Sequence, residues 1–123
     1  MTKKRLTVGI VGENAARSYL ESHGYKILET NYRCALGEID IIARKSSTVI
    51  IIEVRTKTGS SFGRPEESIS AGKGRQLRRL ALYYLQSTYK REIPCRIDLV
   101  AVMLNKVDHT VRSLNHIKGI LSG

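Results

Sequence analysis

Two acids in this chain stand where an ordinary sheet has little use for them. Asp40 lies inside Ile39-Asp40-Ile41-Ile42, and Glu53 follows Val49-Ile50-Ile51-Ile52. β-branched runs like these, bounded by Gly37 and by a turn at Lys45–Thr48, are the sequence signature of strands. If Ser46-Ser47 is an even-membered loop, Lys45 faces Thr48, Arg44 faces Val49 and Asp40 faces Glu53. Opposed Cβ atoms then lie about 4.5–5.5 Å apart. Two carboxylates at that spacing repel, and desolvation adds to the cost. A divalent cation between them removes the conflict. A three-residue loop would instead send the two acids to opposite faces. The same register pairs Glu38 with Arg55, so a cross-strand charge ladder is the structural alternative. Against it, Glu38, Asp40 and Glu53 face only Arg55 and Lys57 on one side, and the surplus of acid favours a metal site.

The flanking sequence supplies the elements that must position these groups. Met1–Thr7 reads as a frayed basic arm. A helix is expected from about Val11 to His23, closed by Gly24 at the C′ position, with Ala15, Ala16, Tyr19 and Leu20 as its apolar stripe. Glu13 falls on the inner side of that helix. It fits either a favourable interaction with the helix N-terminus or a third carboxylate aimed at the hairpin. Lys26–Tyr32 reads as a first strand, which makes the Gly37–Lys57 hairpin part of an antiparallel meander. The Gly/Ser-rich stretch from Gly59 to Pro65 reads as a loop beside the proposed site, either a flap or a simple connection.

A second helix is expected from about Ala71 to Tyr89, with Leu77, Leu80, Ala81, Tyr84 and Leu85 buried. Lys73 and Gln76 share its inward side at the N-terminal end, where they could reach the site. Arg75, Arg78 and Arg79 fall mostly on the other side and, with Arg64 in the preceding loop, could touch phosphates or simply be solvated. After Pro94, Cys95–Leu104 reads as a strand reached by a helical crossover, and therefore parallel to a meander strand. Asp98 and Arg96 share a face of it and read as a structural pair. Val107–Arg112 is expected as a last strand and Leu114–Leu121 as a short tail. His23, His109 and His116 lack metal-ligand spacing and read as surface or packing residues.

The chain has 123 residues, of which 41% are hydrophobic, which suits one domain with a modest core. No apolar run approaches the roughly 20 residues of a membrane span, and no signal-peptide pattern follows the basic start, so a cytoplasmic protein is expected. Cys34 and Cys95 are isolated and read as free thiols. Lys plus Arg number 21 against 11 acids, a formal net charge of +10. That imbalance suggests a polyanionic partner, nucleic acid first. An anionic membrane surface fits less well, because the basic segments lack a large apolar face.

The segments GENAARSYLESHGY, NYRCALGEIDIIAR, IIEVRTKTG, the SIS-x-x-K stretch ending in LALYYL, and RIDLVAV together resemble the YraN-like family of uncharacterised bacterial proteins, from about Val8 to Val102. That family is similar to the restriction-endonuclease-like nucleases, which include Holliday-junction resolvases. The resemblance implies an α/β fold, a mixed central sheet flanked by helices in the order α-β-β-β-α-β. It also implies an Mg²⁺- or Mn²⁺-dependent phosphodiesterase acting on nucleic acid, most simply DNA, and often as a homodimer. Asp40 matches the motif's Asp and Glu53 its Glu, with the Val54 carbonyl as a further metal ligand. Glu13 matches the helix-one acid and Lys73 the basic residue of the second helix. The motif's Lys is Arg55 here. Arginine is always protonated and cannot act as a general base, so Arg55 is left to stabilise charge, with Lys57 two residues on as a partial substitute. The rival expectation is a non-catalytic nucleic-acid-binding or accessory protein that keeps the fold and the charge. A third is a protein-interaction domain with a basic surface.

Overall fold

The computed structural model describes residues 7–59 and 63–121. The basic arm at 1–6 and the tip of the 59–65 loop lie outside the described residues. The element order is α1 (Val8–Ser22), β1 (Lys26–Cys34), β2 (Gly37–Lys45), β3 (Thr48–Thr58), a 3-10 turn (Pro65–Ser68), α2 (Ala71–Thr88), β4 (Cys95–Leu104) and β5 (Val111–Ile117). The strands form one five-stranded sheet in sequential order, antiparallel throughout except for β3 against β4. α2 makes the crossover between these two parallel strands, as such a connection requires. This mixed sheet flanked by two helices is a restriction-endonuclease-like α/β fold, with β5 added at one edge.

Capping residues set the helix limits. Thr7 accepts a hydrogen bond from Ile10 N at 3.2 Å, which starts α1 three residues before the expected Val11. Thr7 is therefore a cap, not part of a frayed arm. His23 ends α1, and Gly24 follows at φ +85°, the left-handed C′ conformation. Ser70 caps α2 by accepting from Lys73 N at 3.0 Å.

The sheet is apolar on both faces. Ala16 and Leu20 of α1 pack on Ile41, Ile50, Ile52, Val100 and Val102. Leu80, Ala81 and Tyr84 of α2 pack on Ile39, Ile42, Val49 and Ile51. Burial on both sides explains why β3 and β4 read as continuous apolar runs. No described helix is long and apolar enough to cross a membrane, and Cys34 and Cys95 are free thiols.

The last strand departs from expectation. It begins at Val111, and Leu114–Ile117 belong to it, not to a tail. Pairing with β4 sets His116 opposite Val100, and this carries His116 into the interior. There its Nε2 lies 2.8 Å from Asp98 Oδ2. Asp98 is fully buried and also accepts from Arg96 Nε at 2.8 Å, Arg96 Nη2 at 3.0 Å and Gly119 N at 3.0 Å. Tyr25 and Tyr19 extend the network through Arg96 and His116. The Arg96–Asp98 pair is structural, as the sequence suggests. His116 is neither a surface residue nor simple packing; it is a polar strut inside the α1 side of the core.

These bonds hold the Asp98 carboxyl below its ordinary range despite its burial. Its stabilisation is therefore fully present above the unfolded Asp pKa of about 3.9 and is lost as pH falls through the lower folded value. Replacing Asp98 by Ala leaves the buried His116 side chain and the half-exposed Arg96 without their acceptor. The expected loss is about 3–5 kcal/mol, read as a lower urea midpoint at neutral pH, with the gap from wild type closing under acid conditions.

Candidate functional site

The hairpin turn has the geometry that aligns the two acids. Lys45 pairs with Thr48, Arg44 with Val49, Ala43 with Ile50, Ile42 with Ile51 and Ile41 with Ile52. Ser46, at φ +53°, makes the two-residue turn. The register is the expected one, but the ladder stops one pair short of Asp40 and Glu53. There Asp40 Oδ2 accepts the Val54 N–H at 2.8 Å, a bond from side chain to backbone across the parting strands.

The parting has a visible cause on β2. Ile41 packs under α1 while Ile39 packs under α2. Residues two apart on a regular strand share a face, so the alternation breaks at Asp40. Asn31, on the neighbouring strand, takes φ +52° between the pairs Thr30–Ile41 and Tyr32–Ile39. Asparagine tolerates that left-handed conformation better than most residues.

This break corrects the expected pairing of Glu38 with Arg55. Glu38 is paired with Arg33 of β1, with Arg33 Nε 3.5 Å from its carboxylate. Arg55 stands on β3 opposite Ala101 of β4. The charged residues expected around Glu53 are therefore divided. Arg55 and Lys57 follow Glu53 on the α2 side of a regular strand, while Glu38 and Glu13 act from the α1 side.

Asp40 and Glu53 still converge. Their carboxyl groups come close enough to share a proton. Burial, and then the proximity of Glu53, push the Asp40 carboxyl up to about 7, against the lowering effect of the Val54 N–H. Glu53 is a buried acid in a strand of isoleucines, and Lys73 of α2 meets it at 3.2 Å. Glu13 lies near enough for Glu38 and Glu53 to raise its carboxyl further, after burial. α1 begins at Val8, so Glu13 is beyond the first turn and the helix-terminus reading does not apply. With Asn14, Thr30, Asn31 and Asp40 it lines a small polar recess. Gly12 fixes this helix to the sheet, because a Cβ there would overlap the Thr56 side chain.

The basic residues divide into those at the site and those elsewhere. Lys73 reaches it. Gln76 does not: its side-chain amide donates to Leu36 O at 3.2 Å and ties the β1–β2 turn to α2. Arg78 bonds the Leu121 carbonyl at 2.7 Å, and Arg64 pairs with Glu66 and Glu67. Arg75 and Arg79 are exposed on the outer side of α2. Arg55 carries the one buried side-chain nitrogen or oxygen without a hydrogen-bond partner among the described residues, its Nε. Asn31 and the Gly12 contact were not anticipated. The only sequence signal for either was an asparagine in mid-strand and a small residue beside Glu13.

Among the described residues, no group of three or more His, Cys, Asp or Glu side chains is arranged to hold a metal. A cation here would have two protein carboxylates and would take its remaining oxygens from backbone, water and substrate. That donor set suits Mg²⁺, which binds through one or two carboxylates and keeps several waters.

The raised Asp40 pKa predicts an inverted pH dependence. Between the unfolded value of about 3.9 and the folded value of about 7, the native state holds a proton that the unfolded chain has released. Stability therefore falls as pH rises through this window. In chelator, Asp40→Asn should flatten that slope and leave the variant more stable than wild type at pH 8, measured by urea denaturation across the window.

A family model described as uncharacterised protein family UPF0102 matches residues 12–102. The chain is 47% identical over 119 residues to a UPF0102 protein of Moorella thermoacetica, covering 97% of this chain and 98% of that one. It is 45% identical over 105 residues to a UPF0102 protein of Thermodesulfovibrio yellowstonii, covering 85% and 93%.

Proposed function

The chain belongs to uncharacterised protein family UPF0102, and from that premise we propose that it is a metal-dependent nuclease hydrolysing phosphodiester bonds in DNA. One observation carries the reading. Two carboxylates are forced together in an apolar sheet, at a cost large enough to move the Asp40 pKa to about 7. A sheet gains no stability from such a pair, whereas a hard cation relieves it.

Asp40 and Glu53 would hold Mg²⁺ or Mn²⁺, with the Val54 carbonyl as a further oxygen and Glu13 ordering water at the rim. The ion, when bound, supplies Lewis-acid charge at the phosphoryl group and makes water more acidic. Arg55 sits two residues beyond Glu53, and its buried, unpartnered Nε is a donor kept for an anion. It stabilises the negative charge that builds on the phosphoryl oxygens and takes no proton itself. Lys57 continues that positive face. Lys73 meets Glu53 at 3.2 Å and, with the ion in place, is free to hold a phosphate oxygen. Arg75 and Arg79 bind flanking phosphates without reading sequence.

The Lys73–Glu53 ion pair also favours a second reading. It meets the Glu53 charge without any metal, which is what a non-catalytic nucleic-acid-binding protein would need. Cleavage of labelled branched and single-stranded DNA separates the two. With Mn²⁺ or Mg²⁺, wild type should cut, chelator should stop it, and Asp40→Ala and Glu53→Ala should fall to the no-enzyme level. Equal products from all three proteins would trace the activity to a contaminant, and binding without cutting would establish the second reading.

A further inference from the structure

The flank of α2 beside the site has a composition that phosphate binding alone does not explain. Tyr83 is 44% exposed and Leu36 is 43% exposed, close to a charged site. Both lie on one side of α2. Gln76 bonds the Leu36 carbonyl, and Tyr83 is seven residues, or two turns, further along the same helix side. The Tyr84 ring meets Tyr32 of β1 edge-on at 5.3 Å, which brings this part of α2 close to β1. Arg79 is exposed on this flank. Lys73 stands ten residues before Tyr83, about 15 Å along the helix.

We propose that this flank is a track for single-stranded nucleic acid, leading from the carboxylate pair past Leu36 to a base stacked on Tyr83. The proposal rests on the nuclease reading for the track's direction and names the substrate class, a strand with unpaired bases. Arginines alone would serve duplex and single strand equally. An exposed tyrosine ring finds a free base face only where bases are not already stacked within a duplex. Aromatic platforms set in a basic groove are the general solution to this problem. The net charge of +10 favours such a polyanion.

Fluorescence anisotropy in EDTA tests the track without any contribution from cleavage. The probes are labelled oligothymidylate and a duplex of equal length. Tyr83→Ala should weaken oligothymidylate binding about 5- to 150-fold while leaving duplex binding and the thermal midpoint unchanged. Tyr83→Phe should retain wild-type affinity, and Arg79→Ala should weaken both probes and reduce the salt slope. The idea is overturned if wild type does not bind oligothymidylate, if Tyr83→Ala binds it as wild type does, or if Tyr83→Ala loses both probes equally. Failure of the nuclease reading would appear as absent cleavage with this pattern intact.

Discussion

The repulsion between Asp40 and Glu53 is the constraint on which the rest of the site depends. The β2–β3 ladder is regular up to Ile41 and Ile52 and then opens. Its opening frees the Val54 N–H, and the Asp40 carboxylate takes it. That one bond satisfies a backbone donor that would otherwise be lost. It also fixes the half-buried Asp40 beside the buried Glu53. The neighbouring elements answer the same constraint from two sides. Lys73 compensates Glu53 from α2, and α1 brings Glu13 close from the opposite face. The charge on Glu13 adds to the surplus of acid instead of relieving it.

The fold shields this arrangement from its own cost. β3 and β4 are covered on both faces by aliphatic clusters, and their burial offsets the penalty of a few charged groups at one end of the sheet. A second polar network, centred on Asp98, lies on the α1 side. The contrast between them is instructive. Asp98 accepts from a guanidinium, an imidazole and a backbone amide, and its carboxyl is held low. Asp40 accepts one backbone N–H and faces another acid, and its carboxyl is driven high. Two aspartates of one sheet, one buried and one half-buried, thus have opposite electrostatics. The first is a closed structural joint, while the second stands against a like charge.

Much of this was legible in the residues. The β-branched runs gave the three meander strands, and the Ser46-Ser47 turn gave the hairpin register that aligns the acids. Gly24 marked the end of α1, and the crossover argument made β4 parallel. What was not legible had specific causes. Alternation assumed a regular β2, so Glu38 was assigned to Arg55; the break at Asp40 and the left-handed Asn31 moved Glu38 to Arg33. Helical spacing placed Gln76 and Arg78 on suitable sides of α2, but their bonds to Leu36 and Leu121 depend on where distant turns pack. His116 was lost for the same reason, since its burial follows from the register of β5 on β4. Local pattern fixes which way a side chain points, whereas partners far along the chain are set by tertiary packing.

The most direct test of the central claim is a carbon-13 NMR titration of the Asp40 side-chain carboxyl, with and without Mg²⁺. A midpoint near 7 that drops well into or below the ordinary carboxylate range when Mg²⁺ is added is the predicted result. A midpoint near 4 in both conditions would mean that the two acids neither crowd one another nor share an ion, and would contradict the account.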